Sequence, residues 1–183
     1  NRLVLDGFAN SEDVYALDTK TQTLEEIYHF LKTNAEQIEG IFHLGAITDT
    51  TETDLEKFYE YNVACSIFIW NLCVDYNIPL IYASSAATYG DGQLGFDDEK
   101  SIDDLKPLNP YGWSKQHFDL WVAQQKTHPP RWYGLKFFNV YGYDESHKGK
   151  MSSVAFQLFN QLNDTGKMRI FKSHNPDFKD GEQ

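Results

Sequence analysis

The stretch from Leu80 to Lys115 reads LIYASSAATYGDGQLGFDDEKSIDDLKPLNPYGWSK, and the fold follows from it. Its first residues, Leu80 to Ala83, form a short apolar run after a proline, which predicts a buried strand of a parallel sheet. Ser84 and Ser85 follow at the carboxyl end of that strand, and a loop rich in glycine and aspartate comes next. We expect a helix to begin near Tyr111.

Tyr111 and Lys115 are four residues apart, so both lie on one face of the predicted helix. A phenol titrates near ~10 and is a poor base at neutral pH. A neighbouring ammonium group is expected to lower the pKa of Tyr111. Tyr-x-x-x-Lys alone is more typical of an ordinary surface helix than of a catalytic site. A serine pair at a strand end upstream, with Ser85 able to hold a substrate oxygen, favours a catalytic interpretation.

The rest of the chain alternates between strand-like and helix-like patterns. Strands are predicted at 2–5, 40–46, 80–83, 133–138 and 168–171, and helices from 23, over 55–76, over 111–125 and over 152–162 with Ser152 as the cap. This alternation predicts a doubly wound α/β fold with a parallel sheet. Ligands bind beyond the carboxyl ends of such strands, where Gly45, Ser85 and Asn139 are expected.

The amino-acid composition and net charge of the chain limit the kinds of molecule that it can bind. The chain has 183 residues, 41% of them hydrophobic, and a formal charge of -11. The negative charge argues against a nucleic-acid partner, and no apolar run is long enough to cross a membrane. Cys65 and Cys73, eight apart in a helix, would lie roughly 12 Å from each other, too far to bridge. We interpret both as core thiols in a reducing, cytoplasmic compartment.

No metal site is predicted. The acidic residues at 97–99 and 103–104 are interpreted as loop carboxylates, because nothing in the sequence fixes their geometry. His43 is interpreted as a packed strand histidine rather than a catalyst.

Several segments together resemble one known family. The segments Tyr82–Gly92 and Pro107–Lys115 are similar to the extended short-chain dehydrogenase/reductase family. Lys136–Gly142, His147–Met151 and Phe171–Ser173 are similar to a branch of it that acts on ADP-linked heptoses. The resemblance extends from about residue 40 onward and implies a Rossmann-like fold.

That resemblance also implies how the chain divides. Residues 1–144 would form a partial NAD(P)-binding domain, and residues 145–183 the start of a smaller substrate-binding lobe. No G-x-x-G-x-x-G motif occurs, although a dinucleotide fold needs such a turn for the pyrophosphate. We therefore expect a chain truncated at both ends, inactive by itself. Conversion of substrate by these 183 residues with added NADP would contradict this expectation.

The resemblance assigns roles to four residues. Tyr111 would be an acid/base, and Lys115 would tune it and hold the ribose of NADP (NAD is possible). Ser85 would orient the reacting oxygen. Lys148 would be a second acid/base, with a solvated loop lysine as the alternative.

Further residues match binding positions of the family. The cofactor-binding set is Leu44, Gly45, Ala46, Asn62, Tyr111, Lys115 and Val140. The substrate-binding set is Ser85, Asn139, His147, Lys150, Gln157, Phe171, Lys172, Ser173 and His174. Lys150 and Gln157 stand where some relatives carry a small hydroxyl residue and a histidine.

Plainer interpretations remain for some of these residues. Asn139 could cap a turn, Asn62 could be a buried amide satisfied by backbone groups, and residues 171–174 could be an edge strand and turn.

Three functions remain open. The resemblance favours an epimerase that oxidises and re-reduces C6″ of an ADP-heptose for lipopolysaccharide core synthesis, with a homo-oligomer expected. A second possibility is another nucleotide-sugar epimerase or a 4,6-dehydratase. Ala86 and Ala87 count against a dehydratase, which usually has an acidic pair beside its catalytic hydroxyl residue. The third is a non-catalytic nucleotide-binding relative, against which the complete Ser85, Tyr111 and Lys115 set argues.

Overall fold

Three parallel strands form the sheet of the computed structural model, which describes residues 15–18, 22–99, 101–170, 172–173 and 178–181. They are β1 (Ile41–His43), β2 (Leu80–Ser85) and β3 (Trp132–Phe137). β2 lies in the centre, and both neighbours run parallel to it. The helices between them make the fold α/β and Rossmann-like, as the alternation in the sequence predicts.

Five α-helices are described. They are α1 (Leu24–Asn34), α2 (Leu55–Phe58), α3 (Cys65–Asp75), α4 (Pro110–Ala123) and α5 (Val154–Thr165). A π-helical turn, Tyr59–Ala64, joins α2 to α3, so the helix predicted over 55–76 is one continuous helical segment with a local widening. Short 3₁₀ turns occupy Ala35–Gln37, Ala86–Tyr89, Ile102–Asp104 and Ser146–Met151.

The end of α3 sets the direction of the chain into β2. Asn77 has a φ of 56°, and asparagine tolerates this left-handed conformation better than most residues. The Ile78 amide donates to the carbonyl of Cys73 (2.9 Å), and the Asn77 amide donates to that of Val74 (3.3 Å). This pair of bonds is a Schellman motif, and it delivers the buried Ile78 directly ahead of the central strand.

The register of the strands separates the two faces of the sheet. Leu80 pairs with Trp132, Tyr82 with Gly134 and Ser84 with Lys136. These residues point toward the helices, whereas alternate residues point away. On that second face the large exposed side chains are Phe42, Tyr133, Leu135 and Phe137. In the part of the chain described here, helices α1, α3 and α4 therefore cover one face of the sheet.

Trp70 of α3 lies at the centre of the core between the sheet and the helices. Its ring contacts Trp132, Trp121 and Phe118 edge-on, at centroid distances of 5.1, 6.1 and 6.4 Å. The buried cluster consists of Ile27, Leu31, Ile69, Trp70, Leu72, Cys73, Ile78, Leu80, Tyr82, Phe118 and Val122. Cys65 and Cys73 are free and buried, and burial raises the pKa of the Cys73 thiol to about 12.

Some predicted elements differ from the structure. The strand expected over 40–46 is only Ile41–His43, and Phe42 is 70% exposed because it points to the face of the sheet that no described helix of the first unit covers. Ser153, not Ser152, caps α5, because its side chain accepts from the Phe156 amide. Among the described residues 168–170 there is no strand. The strand predicted at 2–5 lies outside the described residues.

The chain forms two compact units, Asn1–Phe138 and Asn139–Gln183. The division that we predict from the sequence, into a cofactor-binding part and a substrate-binding part at residue 144, stays a prediction. Across the described residues, no helix is long and apolar enough to span a membrane.

Candidate active site

The candidate site begins where β2 ends and α4 starts. Ser85, the last residue of β2, accepts a bond from the Ala87 amide (3.1 Å) and so caps the 3₁₀ turn that follows. Asn109 caps α4 by accepting from the Gly112 amide (2.8 Å), and Pro110 occupies the first helical turn. Proline suits this position because its missing N–H needs no partner there. These two caps position Ser85 and Tyr111.

The Ser85 side chain interacts with the phenol of Tyr111. Burial raises the pKa of Tyr111, and the hydrogen bond from Ser85 opposes that rise. Our expectation that a neighbouring ammonium lowers the pKa of Tyr111 is therefore wrong for the chain as it stands. The physical reason is that desolvation of the phenolate outweighs the stabilising contacts.

Lys115 lies on the same helix, one turn after Tyr111, and is buried. Its Nζ donates to the carbonyl of Ala83 on β2 at 2.9 Å. Burial lowers the pKa of Lys115 to about 8, and the nearby Asp119 carboxylate opposes this shift. The described residues accept one of its three N–H donors, so two remain for a ligand.

Asn62, in the π-helical turn, joins the loop after β1 to α4. Its Oδ1 accepts from the Ile47 amide (2.8 Å), and its Nδ2 donates to the Ile47 carbonyl (3.0 Å) and to Ser114 Oγ (3.0 Å). Asn62 is thus a buried amide satisfied largely by backbone groups. π-Helical turns recur at functional sites because they redirect one side chain out of the ordinary helical pattern.

The loop after β1 contains three predicted cofactor residues, Leu44, Gly45 and Ala46. The side chain of Asn62 holds this loop at Ile47, and Gly45 is exposed. His43, just before the loop, bonds to Ser66 Oγ through Nε2 at 2.8 Å. Burial, followed by the charge of Lys115, lowers the pKa of His43 to about 4, so its ring is neutral at pH 7. These contacts agree with a packed strand histidine.

A buried polar network beneath the site was missed by sequence reasoning. The carboxylate of Asp119 accepts from Tyr82 Oη (3.1 Å), Ser84 Oγ (2.6 Å) and Lys136 Nζ (2.7 Å). Lys136 also donates to Thr88 Oγ1 at 2.8 Å. One signal was available: a lysine inside the predicted strand 133–138 needs a buried partner of opposite charge.

The second unit is organised around Glu145, which is buried. Its carboxylate accepts from the amides of Gly142 (3.0 Å) and Ser153 (2.6 Å) and from Ser153 Oγ (2.9 Å). These bonds, chiefly those from the amides, lower the pKa of Glu145. Lys148 Nζ lies 3.9 Å from the same carboxylate, and its side chain is 37% exposed. Its role as a second acid/base stays a prediction.

The remaining predicted site residues, which are Val140 of the cofactor set and the rest of the substrate set, all belong to the second unit. Asn139, Val140 and His147 are exposed. Gln157 donates to the Ser152 carbonyl at 2.8 Å. Lys172 is exposed, and the Ser173 amide donates to Asp180 (2.9 Å). Phe171 and His174 lie outside the described residues, as does the side chain of Lys150.

An open groove lies within the second unit. It has a volume of about 560 Å³ and is lined by Ser146, Gly149, Ser152, Phe156, Gln157, Asn160 and Gln161. Gln157 is the one predicted substrate residue in this lining.

The acidic residues of the loops form no metal site in the described part of the chain, where no three His, Cys, Asp or Glu side chains come together. Asp98 is exposed but is not merely solvated, because it accepts a bond from Tyr89 Oη at 2.7 Å. That bond ties the loop to the 3₁₀ turn after Ser85.

A parallel α/β sheet whose central strand ends at Ser85, beside Tyr111 and a buried Lys115, defines a protein with a Rossmann-like fold. The chain belongs to the NAD dependent epimerase/dehydratase family, whose model matches residues 7–182.

Similar proteins agree with this assignment. ADP-L-glycero-D-manno-heptose-6-epimerase of Fusobacterium nucleatum is 50% identical over 155 residues, which cover 83% of this chain and 47% of that protein. The protein of the same name from Nitratidesulfovibrio vulgaris is 47% identical over 147 residues, covering 80% of this chain and 45% of that one. The chain thus spans about half the length of the curated relatives it matches.

A solved structure shows the same fold. The crystal structure of Helicobacter pylori ADP-L-glycero-D-manno-heptose-6-epimerase matches with a TM-score of 0.66 and 27% identity. The match covers 77% of this chain and 44% of that one.

Proposed function

We propose that the complete protein is an ADP-glyceromanno-heptose 6-epimerase. It would interconvert ADP-D-glycero- and ADP-L-glycero-D-manno-heptose by transient oxidation at C6″, in the supply of lipopolysaccharide core sugar. The observation that carries the proposal is the meeting of Ser85 and Tyr111 at the carboxyl end of β2, with Lys115 buried one turn away. The similarity to two curated relatives of that name supports the choice of sugar.

The three side chains have separable tasks. Tyr111 exchanges a proton with the hydroxyl oxygen on C6″, and Ser85 holds that oxygen by a second hydrogen bond. The high pKa of Tyr111 makes the neutral phenol the resting form, which suits the step in which a ketone oxygen regains its proton. Lys148 is proposed as the acid/base on the other face of the sugar carbon.

The residues of this chain fit a nicotinamide nucleotide. Among the described residues one acceptor binds Lys115, so two of its N–H donors remain for the ribose hydroxyls. The loop of Leu44, Gly45 and Ala46 is held by Asn62. When bound, the nicotinamide supplies the acceptor and donor of the hydride. NADP is proposed, with NAD as the alternative.

The wider predictions rest on the same proposal. The partner is an ADP-sugar, with neither nucleic acid nor membrane among the expected partners. A homo-oligomer and a cytoplasmic location are also proposed.

The test uses the complete gene product with NADP and ADP-D-glycero-manno-heptose, followed by proton NMR of the C6″ epimer. Wild type should convert the sugar, and Tyr111→Phe should lose at least about 100-fold in rate, because general acid–base catalysis contributes about that much. Tyr133→Phe is the matched control, since Tyr133 is an exposed tyrosine of β3.

Two results would count against the proposal. Full activity of Tyr111→Phe would remove Tyr111 from the mechanism. If no conversion occurred with any of the three proteins, another nucleotide-sugar epimerase or a dehydratase of the same family would be the next candidate. UDP-sugars would then be tested with the same assay.

A further inference from the structure

We propose that Asp119, held by Lys136, is a positioning residue for the site, fixing the carboxyl end of β2 and the adjoining turn against α4. The proposal rests on the proposed function where it concerns catalysis. Asp119 is 4% exposed and Lys136 is also largely buried, with 16% of its side chain exposed. The two charges lie 2.7 Å apart.

The network reaches Ser85 from both sides along the chain. Ser84, the residue before it, donates to Asp119 Oδ2 at 2.6 Å. Thr88, three residues after it, donates to the Ser85 carbonyl (2.8 Å) and accepts from Lys136 (2.8 Å). The backbone of Ser85 is therefore held between two arms of one ion pair, and from this position its side chain interacts with Tyr111.

The register of the sheet explains why this arrangement is possible. Ser84 and Lys136 are paired residues of β2 and β3, so both side chains point to the same face. Tyr82, two residues earlier on that face, pairs with Gly134. A Cβ at Gly134 would collide with the phenol of Tyr82. Glycine there lets Tyr82 Oη reach Asp119.

Asp119 also acts on the charge of Lys115. The two residues are four apart on α4, one turn from each other. The Asp119 carboxylate raises the pKa of Lys115 against the lowering effect of burial. The other titratable groups near Lys115 are Tyr111 on its own helix and His43 on β1, which is neutral. The charge of Lys136, on β3, faces this group only by way of Asp119, with which Lys136 forms its ion pair.

Removal of one partner is a poor test, because a buried charge without its counter-charge destabilises the fold. The test variant is therefore Asp119→Asn/Lys136→Met, which removes both charges and keeps the approximate shapes. Asp104→Asn/Lys106→Met is the matched control, since it removes the same charges from exposed residues before α4. Both variants are made in the complete gene product, and circular dichroism checks their folding.

The first readout needs neither substrate nor cofactor. Lysine labelled with ¹³C at Cε reports the titration of Lys115, assigned by comparison with Lys115→Arg. We expect the midpoint, about 8 in the wild type, to fall by about one pH unit in the buried variant. It should not move in the control. A midpoint that is unchanged in the folded buried variant overturns the proposal.

The second readout is the epimerase reaction. We expect kcat to fall about 10- to 100-fold, as for a misplaced catalytic group, with KM for the ADP-sugar within about threefold of wild type. Retention of wild-type kcat overturns the proposal. An inactive wild type refutes the proposed function instead, and the titration then decides alone.

If the double variant does not fold, Ser84→Ala replaces it, because this change removes one bond to Asp119 and leaves the ion pair intact. A fall in kcat of about threefold or more is expected, with unchanged KM. An unchanged kcat overturns the positioning role.

Discussion

Gly112 lies against the carbonyl oxygen of Ala87, where a Cβ on Gly112 would come within 2.8 Å of that oxygen and 3.1 Å of Pro107 Cβ. The first turn of α4 and the 3₁₀ turn after Ser85 therefore pack backbone to backbone. This close approach brings Tyr111 to Ser85.

Gly112→Ala should push these two turns apart. We expect the free energy of unfolding to fall by about 1–3 kcal/mol, as for overpacked sites, and the proposed epimerase activity to fall as well. Urea denaturation of the complete protein measures the first effect. Gly142→Ala is the control for stability, since nothing lies within 4 Å of a Cβ there. Equal stabilities of the two variants would contradict the argument.

Lys136→Met alone should be far more damaging than removal of an exposed lysine. It leaves the buried Asp119 carboxylate without its counter-charge, which typically costs about 3–5 kcal/mol. Lys126→Met, at an exposed position, should change the free energy of unfolding by less than about 0.5 kcal/mol. Urea denaturation midpoints of the two variants measure this difference. Similar midpoints would show that the ion pair contributes little to the free energy of unfolding.

His43 should make stability depend on pH. Its pKa is about 4 in the folded chain, against an ordinary 6.5. Between those values the unfolded chain binds a proton and the folded chain does not. The stabilisation is therefore complete above about pH 6.5 and is lost as the pH falls toward 4. The loss is at most about 3 kcal/mol.

Urea denaturation from pH 7.5 to 4.5 measures this contribution. His43→Gln should flatten the decline, whereas His29→Gln, at an exposed helix position, should not. The same slope in wild type and His43→Gln would contradict the prediction.

The two cysteines should be unreactive in the folded protein. Cys65 and Cys73 are buried, and burial raises the pKa of both thiols. Iodoacetamide followed by mass spectrometry should show no labelling of either within an hour at pH 7.5, and full labelling of both in urea. A cysteine introduced at the exposed position Thr127 serves as the positive control. Rapid native labelling of Cys73 would refute the burial.

Local patterns were sufficient for the elements that flank the site. The apolar run from Leu80 predicts β2, and the helix expected to begin near Tyr111 is α4, which starts at Pro110. Both signals are local, because strand burial and helix capping depend on neighbouring residues.

Features that depend on tertiary contacts were not predictable in the same way. The partners of Asp119 come from β2 and β3, far away in sequence. The raised pKa of Tyr111 depends on burial that no motif reveals. The exposure of Phe42 depends on which elements cover its face of the sheet, and a local sequence pattern does not show this. The serine that caps α5 differs by one residue from the prediction, since caps are fixed by backbone geometry.

The face of the sheet that packs against the helices changes from apolar to polar along the strands. The Leu80–Trp132 pair is apolar, and the Ser84–Lys136 pair four residues later is polar. A protein built this way keeps its folding determinants and its chemistry at opposite ends of the same strands. Mutations that retune the reaction can therefore accumulate at one end while the core at the other stays intact. Such separation would let one scaffold diverge toward different sugars without losing its ability to fold.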